Sequence, residues 1–295
     1  MADQEENKTV HRGLKKGLYL IPSAFTAANI GMGFLSVLSS LRGFQLVLSA
    51  PEQAAGYFDY GARALGFAIL FDTLDGRVAR MTKTSTEIGV QLDSLADVLT
   101  FGIAPTILAY SWAIGASFAP NSPAHNIGLF ILFMYLMCGT FRLARFNLQS
   151  MRPRVLMQGA PKIDKKSFVG LPIPLAAGLL ASIVHFAPLP LSFYGENLAR
   201  FYSVLLLILL AGLGLLMVST IRYTSFKNVG TGRGSIYLIL IIAAVGMLIW
   251  LYSQYVLLII TVAYVSHGLI GYLLGTLRPS KSKIEPHEER IDITS

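Results

Sequence analysis

The stretch DTLDGRVARMTKTSTEIGVQLDSLAD, residues 72–97, joins two long hydrophobic segments and carries four aspartates. Asp72 and Asp75 are three residues apart at the end of the first segment, and Asp93 and Asp97 are four residues apart at the start of the second. In a helix, such spacings place both members of a pair on one face. Ionisable groups are costly inside a membrane and are kept there mainly for function or pairing. The stretch therefore predicts two membrane helices whose polar ends meet at a functional site.

The composition around this stretch excludes an ordinary soluble domain. Of the 295 residues, 54% are hydrophobic and only 14% are charged, whereas soluble domains carry about 25% charged residues. A spanning helix needs about 20 largely apolar residues. We predict an all-α, polytopic transmembrane bundle with a cytoplasmic N-terminal segment (1–17), a membrane domain (18–277) and a cytoplasmic tail (278–295). Eight segments are candidate spans: 18–42, 54–81, 88–116, 126–147, 168–187, 199–221, 234–252 and 254–276.

The distribution of positive charge predicts the orientation of these spans. If eight spans alternate, only Arg42, Arg63 and Arg200 fall on one side. The other side receives most of the basic residues, namely Lys8, Arg12, Lys15, Lys16, Arg77, Arg80, Lys83, those of the 142–166 connection, Arg222, Lys227, Arg233 and Arg278. By the positive-inside rule both termini and the aspartates face the cytoplasm. Because the basic residues are scattered through short loops, the net charge of +8 does not indicate nucleic-acid binding.

Four converging carboxylates would repel one another, and hard divalent cations with oxygen ligands neutralise such a group. No histidine or cysteine lies among them, which favours magnesium or manganese over zinc. Two such ions close together can clamp a phosphoryl group and stabilise its leaving oxygen. The alternative is a salt-bridge network between the aspartates and Arg77, Arg80 and Lys83.

The spacing of the aspartates and their neighbours resembles the signature of the CDP-alcohol phosphotransferase family at every fixed position. The pattern D-x2-D-G-x2-A-R-x8-G-x3-D-x3-D is formed by Asp72, Asp75, Gly76, Ala79, Arg80, Gly89, Asp93 and Asp97. The resemblance implies two metal ions bound by the four aspartates, with Asp97 also acting as the general base. It further implies that Gly76, Ala79, Arg80 and Gly89 bind the CDP part of the donor.

Further runs resemble the integral-membrane phosphatidylserine synthases of that family. They are TAANIGMGF (26–34), QLDSLADVLTFGIAP (91–105), GTFRLARFN (139–147) and VGLPIP (169–174). This resemblance implies CDP-diacylglycerol as donor, serine as acceptor, a homodimer with an interface among the later spans, and a bacterial plasma membrane. The spans from about 199 onward add nothing to it.

An acceptor such as serine needs a cation for its carboxylate. Arg142 and Arg145, with Asn147 just beyond, are predicted at the depth of the aspartates and are candidates for binding the acceptor or the donor's lipid phosphate. The alternative is that both arginines anchor the helix end at the membrane surface. Asn29, inside the first span, either faces the nucleotide or makes a helix–helix hydrogen bond.

The histidines bear on the reaction route. A phospholipase D-like synthase would use an H-x-K motif, and no histidine here has lysine two positions later. Direct displacement without a covalent intermediate is therefore expected. His185 and His267 are predicted to be interface or packing residues.

Two alternatives to serine transfer remain. One is the same chemistry on inositol, glycerol phosphate or choline, and the other is a divalent-cation transporter, whose acids would be expected near the bilayer midplane.

Overall fold

The protein is helical. A computed structural model describes residues 2–82, 87–151, 167–224 and 234–277. Within these ranges the helices are α1 (Ala2–Leu46), α2 (Pro51–Thr82), α3 (Glu87–Asp97), α4 (Ala104–Ala109), α5 (Pro123–Met151), α6 (Ile173–Phe186), α7 (Glu196–Val218) and α8 (Gly234–Leu277). Two three-residue strands, β1 (Ser167–Val169) and β2 (Arg222–Thr224), pair antiparallel beside them.

Helices α3 and α4 belong to one continuous helical segment. A π-helical stretch, Val98–Ile103, follows Asp97 directly, and a second one, Tyr110–Ile114, follows α4. π-Helical turns are rare and are often found at functional sites. The first of them begins at the residue after the last aspartate of the motif.

Five helical segments in the described part of the chain are long and apolar enough to cross a membrane, which indicates an integral membrane protein. They are Ala24–Leu46, Ile88–Ile114, Pro123–Leu148, Glu196–Val218 and Gly246–Gly271. The first four each overlap one predicted span, whereas Gly246–Gly271 runs across the predicted boundary between the last two spans, 234–252 and 254–276. Large apolar side chains lie exposed along these segments; Trp250, for example, is 88% exposed. Such surfaces suit lipid as the surrounding solvent.

The other predicted spans differ from this picture in identifiable ways. The helix α2 has 32 residues but carries several charges, and α6 has only 14 residues. The helix α8 is broken at Tyr252 by a non-helical backbone conformation (φ −135°, ψ 43°), close to the predicted boundary between the last two spans, but the apolar segment Gly246–Gly271 continues across this break. The total of eight spans stays a prediction.

Packing brings the middle of α1 against the C-terminal part of α2 and against α3. The helix α1 packs along α2 and also contacts α3 and the π-helical stretch, α5 packs on α7, and α6 lies against both α2 and α8. At Gly33, a Cβ atom would lie 2.6 Å from Thr100 Oγ1 and 2.9 Å from Thr100 Cα. Only glycine therefore permits α1 to approach the backbone just after Asp97 so closely.

Candidate active site

Three of the four motif aspartates meet in space. Carboxylate oxygens of Asp72, Asp93 and Asp97 all lie within 4.8 Å of one another. Asp72 projects from the last third of α2, and Asp93 and Asp97 project from one face of α3, as their four-residue spacing predicts. Asp97 is buried, whereas the other two are half-buried. The cluster therefore has an accessible side and a deep side.

Asp75 lies beside this trio but is engaged differently. Its Oδ2 accepts a hydrogen bond from the Thr26 hydroxyl of α1, and both residues are buried. Asp75 follows Asp72 by three residues on α2, so the two carboxylates share a helix face. The structure thus brings three predicted ligands together and holds the fourth against α1.

The trio fits a hard divalent cation by its chemistry. Every donor is a carboxylate oxygen, which magnesium and manganese prefer. The Asp97 Oδ1 atom is buried and has no hydrogen-bond partner among the described residues. Buried anionic oxygens are normally paired or coordinated. Three carboxylates this close also repel one another unless a cation lies between them.

The salt-bridge alternative finds no support in the described part of the chain. The ion pairs found there are Arg63–Asp59, His185–Asp59 and Arg200–Glu196. None of them includes an aspartate of the motif. Lys83 and the side chain of Arg80 lie outside the described residues, as does the side chain of Ala79.

Asn29 and Arg142 surround the deep side of the cluster. Asn29 is fully buried beside Asp97, yet neither of its side-chain amide atoms makes a hydrogen bond within the described structure. Arg142 of α5 lies close enough to Asp97 for electrostatic attraction. Its Nε is also buried and without a hydrogen-bond partner among the described residues. Unsatisfied polar atoms converging on one carboxylate indicate a site built to bind something polar.

The helix α1 presents a functional face that the sequence interpretation recognised only in part. Thr26, Asn29 and Gly33 are spaced at three and four residues, so they share one face. The Thr26 hydroxyl donates to Asp75. The backbone oxygen of Asn29 accepts a 3.2 Å hydrogen bond from Thr100 Oγ1. Gly33 allows α1 to lie close to Thr100. Asn29 was predicted as a site residue and Thr26 and Gly33 were not. Their helical spacing from Asn29 was the available signal.

The other two predicted acceptor residues make contacts within the protein. Arg145 Nη1 donates a 3.2 Å hydrogen bond to the carbonyl of Val218, the last residue of α7. Asn147 Nδ2 donates to Ser94 Oγ at 2.7 Å, which links α5 to α3 next to Asp93. A cation at a helix C-terminus offsets the partial negative charge there. These contacts support the site from outside.

The VGLPIP run forms the turn on which Arg145 rests. Gly170 has φ +83°, and a Cβ atom there would lie 2.3 Å from the Met217 carbonyl oxygen and 3.2 Å from Arg145 Nη2. Its N–H donates to Ile221 O at 2.9 Å. Both the backbone conformation and the lack of space require glycine.

The remaining predicted positions lie at the edge of the site. Gly76 is half-buried on α2, one residue after Asp75, and Gly89 is exposed in the first turn of α3. Of the long basic connection, residues 152–166 lie outside the described structure.

A second polar cluster joins α2, α6 and α8 far from the aspartates, and the sequence interpretation missed it. Asp59 pairs with Arg63 and with His185 Nδ1, and His185 Nε2 lies 2.8 Å from Ser253 Oγ. Asp59 precedes Asp72 by thirteen residues on α2, which is about 20 Å along a helix. His185 is thus an interface residue, as predicted.

Comparisons with known proteins agree with this geometry. The family model described as CDP-alcohol phosphatidyltransferase matches residues 19–211. A protein of Helicobacter pylori named CDP-diacylglycerol–serine O-phosphatidyltransferase is 32% identical over 87% of this chain and 92% of its own length. One of the same name from Methanocaldococcus jannaschii is 32% identical over 85% of this chain and 92% of its length. An archaetidylserine synthase of Methanothermobacter thermautotrophicus is 31% identical over 71% and 72%.

Proposed function

The chain belongs to the CDP-alcohol phosphatidyltransferase family, and we propose that it transfers the phosphatidyl group of CDP-diacylglycerol to the hydroxyl of L-serine. The products are phosphatidylserine and CMP. The observation that carries the proposal is the convergence of Asp72, Asp93 and Asp97, with a buried and unpartnered oxygen on Asp97. The names of the relatives support serine as the acceptor.

The aspartates would hold the metal. Asp72, Asp93 and Asp97 would bind two Mg²⁺ or Mn²⁺ ions, and Asp75, oriented by Thr26, would complete the ligand set. When bound, the ions would neutralise charge on the donor's pyrophosphate. A hydroxyl that holds a ligating carboxylate in place also contributes to metal affinity.

The protein residues would then carry out a direct displacement. The serine hydroxyl oxygen forms a bond to the phosphorus that carries the lipid, and the bond from this phosphorus to the CMP oxygen breaks. Asp97 takes the hydroxyl proton as general base. Because Asp97 lies deepest in the cluster and has Arg142 and Asn29 beside it, the acceptor would be held on that side.

The donor and acceptor would bind on opposite sides of Asp97. Gly76, Ala79, Arg80 and Gly89 would hold the CDP part, where α2 and α3 meet. Arg142 would bind the serine carboxylate, and Asn29 would contact the nucleotide or the acceptor beside Asp97. Arg145 and Asn147 would hold this end of α5 in place through Val218 and Ser94.

We extend the proposal to the surroundings of the enzyme. Residues 18–277 would form the membrane domain, flanked by cytoplasmic segments 1–17 and 278–295. The site would face the cytoplasm of a bacterial plasma membrane, because the basic residues accumulate on that side. The working unit would be a homodimer.

The test is release of labelled CMP from CDP-diacylglycerol by the purified protein with Mg²⁺ or Mn²⁺. Serine, inositol, glycerol 3-phosphate and choline are supplied in separate reactions. We expect release only with serine. Release with another alcohol would support phosphatidyl transfer but contradict serine as the acceptor. If a folded protein released no CMP with any alcohol, the result would favour a divalent-cation transporter.

Two variants test in the same assay whether the reaction depends on Asp97. Asp97→Asn keeps the size of the side chain but removes the base, so CMP release should fall at least about 100-fold. Glu52→Gln is the matched control, because Glu52 is an exposed carboxylate on α2 twenty residues before Asp72. Equal losses in both variants would contradict the role of Asp97.

A further inference from the structure

A proline disturbs the helical segment that carries the last two aspartates of the motif. Proline has no N–H, and in an α-helix its ring collides with the carbonyl four residues earlier. Because of Pro105, the carbonyl of Phe101 therefore loses its α-helical donor. The π-helical stretch Val98–Ile103 lies just before this proline. At its end the N–H of Ala104 donates to Leu99 O, five residues back instead of four. The backbone directly after the last aspartate is thus shifted in register by one residue.

This shift sets the direction in which the aspartates point. Each residue of an α-helix turns the chain by about 100°, since 3.6 residues complete one turn. One additional residue in the turn after Asp97 therefore rotates α3 by about that angle relative to α4. In this register, carboxylate oxygens of Asp93 and Asp97 lie within 4.8 Å of one of Asp72. If α4 stayed in place, a regular α-helix would turn both of them away from Asp72.

Hydrogen bonds to the two neighbouring helices hold the shifted stretch. The hydroxyl of Tyr135 on α5 donates to the carbonyl oxygen of Phe101 at 3.4 Å. On the opposite side, Thr100 Oγ1 donates to the backbone oxygen of Asn29 on α1 at 3.2 Å. Membrane helices tolerate proline where side chains of neighbouring helices satisfy the freed carbonyls. Tyr135 supplies the donor that Pro105 lacks.

The helix α5 lies directly against the stretch at this point. It contacts the π-helical residues, and a Cβ atom at Gly102 would lie 2.7 Å from Leu136 Cδ1, beside Tyr135. Tyr135 and Phe101 are both fully buried. Close packing leaves a buried ring little freedom to move. The phenol hydroxyl is therefore held at the place where the freed carbonyl must lie.

We infer that Tyr135 is a positioning residue of the aspartate site: its hydroxyl binds the carbonyl that Pro105 leaves without a helical donor, and so keeps the aspartates of α3 turned toward Asp72. The inference rests on the proposed function, because it concerns the metal affinity of that site. Without the hydroxyl, a buried carbonyl loses a hydrogen bond and the shifted register loses stability. The aspartates would then bind metal less tightly, although none of them is altered.

The experiment measures Mn²⁺ binding to purified, metal-stripped protein from the electron paramagnetic resonance signal of free Mn²⁺. We expect Tyr135→Phe to raise the Kd for Mn²⁺ about fivefold, the scale of one hydrogen bond between neutral groups. Tyr110→Phe is the matched control. The Tyr110 hydroxyl lies 3.3 Å from His125 Nε2, and this tyrosine begins the second π-helical stretch, about 20 Å beyond Asp97 along the helix. Both variants should lower the melting temperature slightly, and only Tyr135→Phe should change the Kd.

A second variant tests the connection to the proline. Pro105→Ala restores the missing N–H, so Tyr135→Phe should change the Kd less in that background than in the wild type. An unchanged Kd in Tyr135→Phe would overturn the inference, as would an equal rise in Tyr110→Phe or the same fold-change in both backgrounds.

Failure of the proposed function gives a different result. The wild type would then bind Mn²⁺, with the expected difference between Tyr135→Phe and Tyr110→Phe, but it would release no CMP with serine. A folded wild type that binds no Mn²⁺ would overturn both the inference and the metal site.

Discussion

Asp75 illustrates how one hydroxyl can orient a predicted metal ligand. The Thr26 hydroxyl donates to Asp75 from α1, so it both satisfies the buried carboxylate and fixes its orientation toward the trio. Outer partners of metal ligands are often worth 10–100-fold in affinity or activity. The hydroxyl therefore matters even though it is not itself a predicted ligand.

The variant Thr26→Val removes this hydrogen bond while keeping the shape of the side chain. We expect the Mn²⁺ concentration that gives half-maximal activity to rise about 10-fold or more, measured by metal titration of CMP release. Thr106→Val is the control, because its hydroxyl bonds only the Ile103 carbonyl within its own helical segment. The same metal dependence in Thr26→Val and the wild type would contradict the role of Thr26.

The sequence predicts the aspartate cluster better than it predicts the residues that contact the cluster. Asp72, Asp93 and Asp97 could be identified because their spacing alone places them on helix faces at a shared boundary. Thr26 could not, since it contacts Asp75 of another helix and only packing brings the two together. Arg145 and Asn147 were predicted near the site, but their contacts with Val218 and Ser94 depend on tertiary structure.

At the scale of elements, glycines determine how closely the helices approach. Gly33 brings α1 against Thr100, directly after the motif, and Gly170 lets the turn before α6 pack on the end of α7. For each of them the chain offers a comparison glycine at which an added Cβ would meet no neighbouring atom: Gly31 for Gly33, and Gly195 for Gly170. These pairs allow packing to be separated from conformational effects.

The first pair tests the contact between α1 and the π-helical stretch. A methyl group at Gly33 would overlap Thr100, so Gly33→Ala should destabilise the protein by about 1–3 kcal/mol and reduce activity. Gly31→Ala adds the same methyl group where no atom lies within 4 Å. We expect a lower melting temperature in detergent only for Gly33→Ala. Equal melting temperatures would show that α1 can move away at no cost.

The second pair separates backbone strain from lack of space. Gly170 and Gly195 both have positive φ, at +83° and +89°, but only Gly170 has neighbours where a Cβ would lie. Gly195→Ala should cost about 1 kcal/mol from strain alone, and Gly170→Ala at least twice that. Thermal unfolding of both variants checks this order. A reversed order would mean that the turn before α6 is not held against α7.

The helices themselves were largely predictable, and the exceptions have physical causes. Long apolar runs predict spans directly, and the break at Tyr252 lies at the end of the predicted span 234–252. The short α6 was overestimated because the run before it, which includes β1 and Gly170, is equally apolar but non-helical. The π-helical stretch after Asp97 was not predicted from the sequence.

At the scale of the whole molecule, the account requires the aspartates to face the cytoplasm. Cysteine labelling tests this in a Cys138→Ala background, since Cys138 is the single cysteine of the chain. Met81 lies at the end of α2 and is 83% exposed, and Asn121 lies in the exposed turn before α5. A membrane-impermeant maleimide on intact cells should label Asn121→Cys, and should label Met81→Cys only after permeabilisation. The opposite result would reverse the orientation.

The central claim is that the aspartate cluster is a metal-dependent site of phosphatidyl transfer. The most direct measurement is CMP release from CDP-diacylglycerol and serine by metal-stripped protein as Mn²⁺ is added back, for the wild type, Asp93→Asn and Glu52→Gln. The account predicts recovery to full activity for the wild type and Glu52→Gln. Asp93→Asn should require at least about 10-fold more metal or stay inactive. Equal recovery of all three proteins, or full activity without metal, would contradict it.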